Sequence, residues 1–498
     1  MSSFSSSLLV WFFESTKQNT RPNLLLISFL EDKDKLNLIK TNKFFYEKSF
    51  IFPIQKKFFL NRLVYLNENK ELEIRKTNLQ ITNVAVRVEE LDLLVTCYYP
   101  FINSYSRITS LILKHIDINK IRSANILVLL QTTLVHLQLL DLSGNTFTKE
   151  GIILLCDVIK SKQNTLLHLG LGVCYIDQEK ILPLCELLNT IPTNLTSLDL
   201  GYNCLEDAGV IALSKVLEMN NTKLTFIDLN NNKITSIGVT HFCNSIAKRT
   251  ASYFTKIDFS SNQVGRKGIQ ALSTTLQKVP SLKSLNLYDT EIKEEEKLQI
   301  LCEVLKTNST VTSLNLGKNN IGTKGIFLLS QVLKTNSSNL TSLNLSNNPI
   351  PEEGFYVLTE SLKTNKTVTE LNLSKTNFDW NMDKRMLLVS NLLKVNTSLL
   401  NLKLSTNNIW EGGYLTELLE TLKYDNSSLL YLDLSSNLLK NRAIIDIGDM
   451  LVINKTLKKV DLQNNIFAYS TINNLFESRK CATLPERIVY YIPPEPIY

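Results

Sequence analysis

The sequence has few of the residues that metal sites, disulfide frameworks and catalytic centres usually need. Its 498 residues include only eight cysteines and four histidines. The cysteines form no CxxC pair and the histidines no HxxxH pair, so neither a zinc site nor a disulfide framework is indicated. We therefore expect no metal, no cofactor and no catalytic residue, and a protein that is not an enzyme.

Long apolar runs and a strong charge excess are also missing. The apolar run from Leu8 to Phe13 lacks the basic start and the length of a signal peptide, and no stretch reaches membrane-spanning length. The 54 basic and 47 acidic residues give a net charge of only +7, which is not the footprint of a nucleic-acid-binding protein. We expect a cytoplasmic or nuclear protein that binds neither membranes nor nucleic acids.

One repeated phrase dominates what the sequence does contain. Between Ile108 and Asn465 the pattern LxxLxLxx, followed by a ninth residue, occurs thirteen times at intervals of 28 to 31 residues. The ninth residue is asparagine in nine phrases, and Ile116, Cys174, Thr290 and Thr376 replace it in the others. This pattern resembles the leucine-rich repeat, in the long form of ribonuclease-inhibitor-like proteins.

Each repeat is predicted to form one strand and one helix. In the phrase that ends at Asn203, Leu198 and Leu200 alternate with polar residues as in a strand, and the residues that follow carry a helical apolar stripe. One unit cannot bury both apolar faces, so neighbours must stack. The expected fold is α/β: a curved leucine-rich repeat solenoid, or horseshoe, with parallel strands on the concave face, helices on the convex face and a small helical N-terminal segment.

Several recurring residues have structural explanations. The ninth-place asparagines are expected to satisfy backbone groups at the bend after each strand. Cys156, Cys185, Cys243 and Cys302 share one phase of the helices, where cysteine acts as a small hydrophobe. The asparagines of the glycosylation-like triplets recur at the helix-to-strand turn, which favours Asn, Ser and Thr. They are Asn308, Asn336, Asn365, Asn396, Asn426 and Asn454.

The repeat divides the chain into four parts. Residues 1–20 form an N-terminal extension, residues 21–80 a helical segment, residues 81–477 the repeat array and residues 478–498 a proline-rich tail. The tail is expected to be extended, and either caps the last repeat or binds elsewhere. Within residues 21–60 a proline, an apolar helix, an acidic turn and a helix ending in aromatic residues follow one another, at Pro22, Leu26, Ile27, Leu30, Asp34, Leu36, Leu38, Asn42, Phe44 and Phe45. This segment resembles an F-box, which implies binding to the adaptor of a cullin-type ubiquitin ligase. The alternative is a plain helical cap. The residues that would contact the adaptor are Pro22, Leu26, Ile27, Leu30, Leu36 and Leu38.

The solvent-facing strand positions are the expected binding surface, because the leucines between them are committed to the core. Adjacent strands lie about 4.8 Å apart, so Asp199, Asp228 and Asp258 are predicted to form a carboxylate row that attracts a basic partner. Alternatively, each aspartate only bonds its neighbours. The candidate partner-binding residues are Asp199, Tyr202, Phe226, Asp228, Asp258, Tyr288, Tyr431, Asp433 and Asp461.

Three functions are compatible with this sequence. The first is a non-enzymatic module whose concave face binds a protein partner, as the substrate receptor of a cullin-type ubiquitin ligase. The second is a free-standing scaffold resembling ribonuclease inhibitor or the sensor of an immune receptor. The third is a GTPase-activating protein of the leucine-rich repeat type.

Overall fold

The computed structural model describes residues 63–66, 72–75, 83–85, 109–112, 114, 137–160, 165–190, 193–219, 222–249, 253–293, 295–335, 338–376, 382–468, 470–471 and 487–489. They fall into two compact units. The first comprises residues up to Ile176 together with Glu186–Asp199, and the second comprises Asp177–Cys185 together with residues from Leu200 onward. Helix α2 (Leu182–Thr190) contains the division between them. The adaptor-contact residues Pro22 to Leu38 lie outside the described residues.

Among its described residues, the first unit contains an antiparallel pair and five parallel strands. Strands β1 (Leu63–Leu66) and β2 (Leu72–Arg75) pair with each other. Strands β3 (Asn83–Ala85), β4 (Ser110–Ile112), β5 (Leu139–Asp141), β6 (His168–Gly170) and β7 (Ser197–Asp199) pair in chain order. Helix α1 (Lys149–Lys160) lies between β5 and β6.

The β1–β2 pair corrects the expectation that residues 21–80 are helical. In Leu72–Arg75 the apolar residues Leu72 and Ile74 alternate with charged residues, which is the period of a strand, whereas all four residues of Leu63–Leu66 are apolar. Asn67 and Asn69 between the two strands favour a turn. The rest of residues 21–80 lies outside the described part of the chain.

The second unit repeats the strand–helix alternation. Its strands pair in parallel in chain order: β8 (Phe226–Asp228), β9 (Lys256–Asp258), β10 (Ser284–Asn286), β11 (Ser313–Asn315), β12 (Ser342–Asn344), β13 (Glu370–Asn372), β14 (Asn401–Lys403), β15 (Tyr431–Asp433), β16 (Lys459–Asp461) and β17 (Ile488–Val489). The predicted α/β repeat architecture is therefore confirmed in each unit. Strand β17 lies in the proline-rich tail, so at residues 487–489 the tail extends the sheet, as the capping alternative requires.

The helices of the second unit are α3 (Glu206–Glu218), α4 (Ser236–Lys248), α5 (Gly265–Lys278), α6 (Glu295–Leu305), α7 (Thr323–Thr335), α8 (Glu352–Thr364), α9 (Met382–Val395), α10 (Gly413–Glu420) and α11 (Asn441–Ile453). The start of α4 depends on the preceding repeat. At α4 the Asp207 carboxylate accepts hydrogen bonds from the backbone N–H groups of Thr235 (2.8 Å) and Gly238 (2.9 Å). Gly238 is needed there, because a Cβ atom would lie 2.7 Å from that carboxylate.

The core lies between strands and helices. Leu285 and Leu287, the fourth- and sixth-place residues of one phrase, are 1% and 0% exposed. Cys156, Cys185, Cys243 and Cys302 are buried in the helices, as predicted. Each fully buried aliphatic side chain contributes about 1.5 to 3 kcal/mol, so the repeated leucines supply most of the apolar stabilisation.

Candidate functional site

The ninth-place asparagines form a buried ladder whose role is structural. The Asn262 side-chain oxygen accepts hydrogen bonds from the N–H groups of Asn232 (3.0 Å) and Ile234 (2.9 Å). Its Nδ2 donates to the carbonyl of Leu229 at 2.8 Å. Thr290 stands in the same place and donates from its hydroxyl to the Leu287 carbonyl at 2.8 Å. The predicted role of these residues is confirmed.

A second asparagine ladder lies at the helix-to-strand turns, where the asparagines of the glycosylation-like triplets were predicted. The sequence did not show that these side chains also bond the preceding repeat. Asn365 donates to the Leu333 carbonyl of the preceding repeat and accepts from the N–H groups of Thr367 and Val368. The asparagines of this ladder are Asn308, Asn365, Asn396, Asn426 and Asn454, all buried. They share the glycosylation-like triplets, and burial keeps these amides from a modifying enzyme in the folded protein. Asn336 lies outside the described residues.

The outward strand face consists of the third- and fifth-place side chains of the strands. In the second unit these positions are in register, so that Asp228 lies beside Asp258, and Asp433 beside Asp461. Asp199 occupies the fifth place of β7 in the first unit, where it is half-buried beside Gly170. The fourth-place residue between these two places, and the sixth-place residue after them, are buried apolar side chains, for example Leu285 and Leu287.

The fifth-place carboxylates take part in the turn that follows each strand. The backbone N–H two residues on donates to Asp228 (2.9 Å), Asp433 (2.9 Å) and Asp461 (3.0 Å). Asparagine makes the same turn in the central strands, for example Asn315 with the N–H of Gly317 at 3.0 Å. A short side-chain acceptor at this place thus stabilises the turn, which accounts for Asp or Asn at most fifth places, although β14 carries Lys403 there.

Asp258 is less available than the sequence suggested. It is 5% exposed, and its carboxylate accepts hydrogen bonds from the Ser260 hydroxyl (2.6 Å) and from Asn286 Nδ2 (2.7 Å). Lys256 Nζ lies 3.6 Å from Asp258 Oδ2. The expectation that this charge needs a basic partner is therefore wrong for Asp258, because the same unit already supplies a cation and two donors.

The aromatic candidates occupy different settings. Phe226 lies in the third place of β8, and Lys256 Nζ is 4.3 Å from its ring centroid. That cation–π pair was missed, although Lys256 shares the third place. Tyr202 is in the eighth place, 59% exposed and in the left-handed backbone region. Tyr288 lies against Gly317, and its hydroxyl accepts a hydrogen bond from Asn347 Nδ2 at 3.1 Å, so it bridges three repeats.

Tyr431 forms a small cluster with Asp433 and Asp461. Partial burial and the negative charges of both aspartates raise the pKa of the Tyr431 phenol to about 12. The phenol therefore remains a neutral hydrogen-bond donor at any physiological pH. This end of the outward strand face offers one hydroxyl donor beside two carboxylates.

Within the described ranges, every helix is too short or too polar to cross a lipid bilayer. In the same ranges, histidine, cysteine, aspartate and glutamate side chains do not gather in a group that could hold a metal ion.

Comparison with known proteins identifies the repeat. The Leucine Rich repeat family model matches residues 133–156, 192–214, 220–243, 250–273, 307–330 and 336–355. Ribonuclease inhibitor of Mus musculus is 26% identical over 254 residues, covering 50% of this chain and 48% of the inhibitor. The inhibitor of Sus scrofa is 25% identical over 224 residues, covering 45% and 41%. The chain thus matches about half the length, or less, of these curated relatives.

Among solved structures, an internalin from Listeria monocytogenes aligns with a TM-score of 0.38 and 19% identity, covering 73% of this chain and 83% of the internalin. The thirteen phrases, the parallel strand–helix units and the matched repeats together give this chain a leucine-rich repeat fold, and its sequence is similar to that of ribonuclease inhibitor.

Proposed function

We propose that this chain is a non-enzymatic scaffold that binds a protein partner on its outward strand face. One observation carries the proposal. In the second unit, nine consecutive strands from β8 to β16 present their third- and fifth-place side chains in register. The apolar fourth-place residue of each of these strands is buried. Such a regular surface offers many separately variable contacts to a folded partner.

Aromatic and charged side chains on this face suit protein recognition. Phe226 and Tyr431 are half-buried in third places, and aromatic side chains often dominate interface energetics. Asp228, Asp433 and Asp461 are half-exposed in fifth places, and each uses one oxygen for its turn. The second oxygens of Asp433 and Asp461 would attract basic groups of a partner.

Site-specific photo-crosslinking tests this proposal. A photoreactive amino acid is placed at Phe226 on the strand face or, as a matched control, at Phe327 on helix α7, which is 51% exposed. A partner joined from position 226 and not from position 327 supports the proposal. Crosslinks that form only from the helix position would contradict it.

The acidic residues are tested separately. Asp433 and Asp461 are changed together to Asn, which makes the same turn in neighbouring strands and should leave the fold intact. If the partner is basic, its affinity and the salt dependence of binding should both fall. Unchanged binding would remove these aspartates from the interface.

The finer proposal, that the chain is a substrate receptor of a cullin-type ubiquitin ligase, is supported by the sequence of residues 21–60 alone. Its test is co-purification of a ligase adaptor with the full chain and loss of the adaptor on deletion of residues 1–60. If no adaptor co-purifies with the full chain, the free-standing scaffold is favoured. The similarity to ribonuclease inhibitor supports that alternative.

A further inference from the structure

We infer that the middle of the outward strand face binds acidic side chains carried on a helix of the protein partner. This inference rests on the proposed function and names the partner's chemistry. It follows from a row of side-chain amides, here called the donor row, formed by Asn315, Asn344 and Asn372.

The donor row consists of amides with a fixed orientation. Each Oδ1 accepts a hydrogen bond from the backbone N–H two residues on, at 3.0 Å for Asn315 and 2.9 Å for Asn344 and Asn372. Among the residues that the structure describes, the three Nδ2 groups have no hydrogen-bond partner. All three side chains are partly exposed, so their N–H groups face solvent as donors.

Elsewhere on the same face, asparagine Nδ2 groups donate hydrogen bonds to carboxylates. One strand before the row, Asn286 Nδ2 donates to the carboxylate of Asp258 at 2.7 Å. Beside the row, Asn401 Nδ2 donates to the carboxylate of Glu370 at 3.0 Å. A carboxylate is thus the natural acceptor for amides of this face, and within the described part of the chain none reaches the donor row. Hydrogen bonds to charged acceptors are also the stronger kind.

The residues around the row include one cation that favours the same ligand. Lys403 continues the row on β14, is exposed and, among the described residues, forms no ion pair. Glu370, in the third place of β13, carries an opposing charge. Four serines border the row, Ser313, Ser342, Ser346 and Ser374, and their short side chains let a partner helix approach the amides closely.

A helix suits the spacing of the row. Three neighbouring strands span roughly 9.6 Å, and glutamates at positions i, i+4 and i+7 of a helix span roughly 10.5 Å along its axis. A helix laid across the strands therefore brings one carboxylate to each amide. Same-face side chains of an extended strand recur only every 6.6 to 6.8 Å or so, which is a poorer match.

The inference is tested with labelled peptides and the full chain. One helical peptide carries glutamates at i, i+4 and i+7, a second carries glutamines there, and a third has the same composition with the glutamates on different faces. Binding is measured by fluorescence anisotropy. We expect the first peptide to bind at least about tenfold more tightly than the other two, since three charge-assisted hydrogen bonds are at stake.

Protein variants locate the site. Changing Asn315, Asn344 and Asn372 together to Asp keeps the turn acceptors but replaces the donors by carboxylates, and should weaken binding at least about tenfold. The charge-matched control changes Asn231, Asn320 and Asn408 to Asp, at exposed positions with left-handed backbone that tolerate aspartate. This control should bind like the unchanged chain. Glu370→Gln still accepts from Asn401 and should strengthen binding by removing a repelling charge.

Each contrary outcome has a definite meaning. No binding of the first peptide, equal binding of the peptide with scattered glutamates, or equal weakening by both protein variants overturns the inference. If the photo-crosslinked partner still maps to position 226 in that case, the proposed function stands without an acidic helix. If neither the peptide nor a partner binds this face, the proposed function also fails.

Discussion

At the residue scale, each side chain of the asparagine ladder makes several hydrogen bonds to backbone groups. Asn319 accepts from the N–H groups of Thr290 (2.9 Å) and Ile292 (3.1 Å), and donates to the Leu287 carbonyl (2.6 Å). It is 1% exposed, so water cannot replace these bonds. A substitution of Asn319 should destabilise two repeats, because Thr290, Ile292 and Leu287 belong to the repeat before its own.

We predict that Asn319→Ala lowers the free energy of unfolding by about 3 to 5 kcal/mol, since each buried backbone group left without a partner costs about 1 to 3 kcal/mol. Asn319→Thr should cost about half as much, because threonine serves at Thr290 and Thr376 with a single hydroxyl. Urea unfolding of the three proteins measures the difference. Equal losses in both variants would show that the bonds to the side chain matter less than its volume.

The place before the ladder requires a left-handed backbone, and Val173 fills it poorly. Its φ is 56°, in a column where other repeats carry Gly144 (φ 78°), Asn231 (φ 48°) or Asn347 (φ 56°). A β-branched side chain is strained in this region, at a cost of about 1 to 3 kcal/mol. The strain is local, since Val173 is 42% exposed and contributes little to the core.

Val173→Asn should therefore raise the stability by about 1 kcal/mol. Thermal unfolding followed by circular dichroism measures the effect. Val173→Ala serves as the control: it removes the branch and keeps a Cβ atom, so its gain should be smaller. A loss of stability in the Asn variant would show that the valine side chain makes a contact that outweighs the backbone strain.

At the element scale, the sequence predicted the repeating parts and missed the irregular ones. The spacing of the ninth-place residues predicted strands such as β10 and β11 and their register correctly. It did so because the leucines of the same phrases form the core. The antiparallel pair β1–β2 was missed, because it lies outside the repeat and each of its strands has only four residues. The donor row was not recognised, because the sequence does not show which amide groups already have partners.

The helices also carry titratable groups that bear on stability. Burial raises the pKa of the thiols of Cys243 and Cys302 to about 12, against an ordinary value of 9.0. Below pH 9 these thiols are neutral in both the folded and the unfolded chain, and their contribution to stability is complete. Between pH 9 and 12 only the unfolded chain ionises them, so stability falls as the pH rises.

Alkaline unfolding should reveal this linkage. Each buried thiol adds a slope of up to about 1.4 kcal/mol per pH unit in that range. A variant with both Cys243→Ala and Cys302→Ala should be less stable near neutral pH, because it leaves cavities, but should lose stability less steeply above pH 9. Urea midpoints between pH 7 and 11 measure both effects. Parallel pH profiles for the two proteins would contradict the thiol contribution.

At the scale of the whole molecule, a repeat array is stabilised mainly by contacts between neighbouring units, so the state of its last unit matters. In the second unit the last regular strand, β16, is covered by β17. The adjoining Arg487 is 9% exposed, and its guanidinium donates to the carbonyls of Leu451 (2.7 Å), Asn454 (2.8 Å) and Leu457. One side chain thereby closes the end of helix α11 and the turn after it.

We predict that Arg487→Ala destabilises the last repeat selectively, by about 3 kcal/mol, because three buried carbonyls lose a charged donor. Nearest-neighbour stabilisation confines the effect, so hydrogen exchange should become faster in α11 and β16 and remain unchanged in α7 and β11. Lys455→Ala is the matched control, since its ammonium donates to a carbonyl at an exposed position. A uniform acceleration across the second unit would mean that the array unfolds as one cooperative body, and no acceleration would mean that β17 and Arg487 do not hold the end of the sheet.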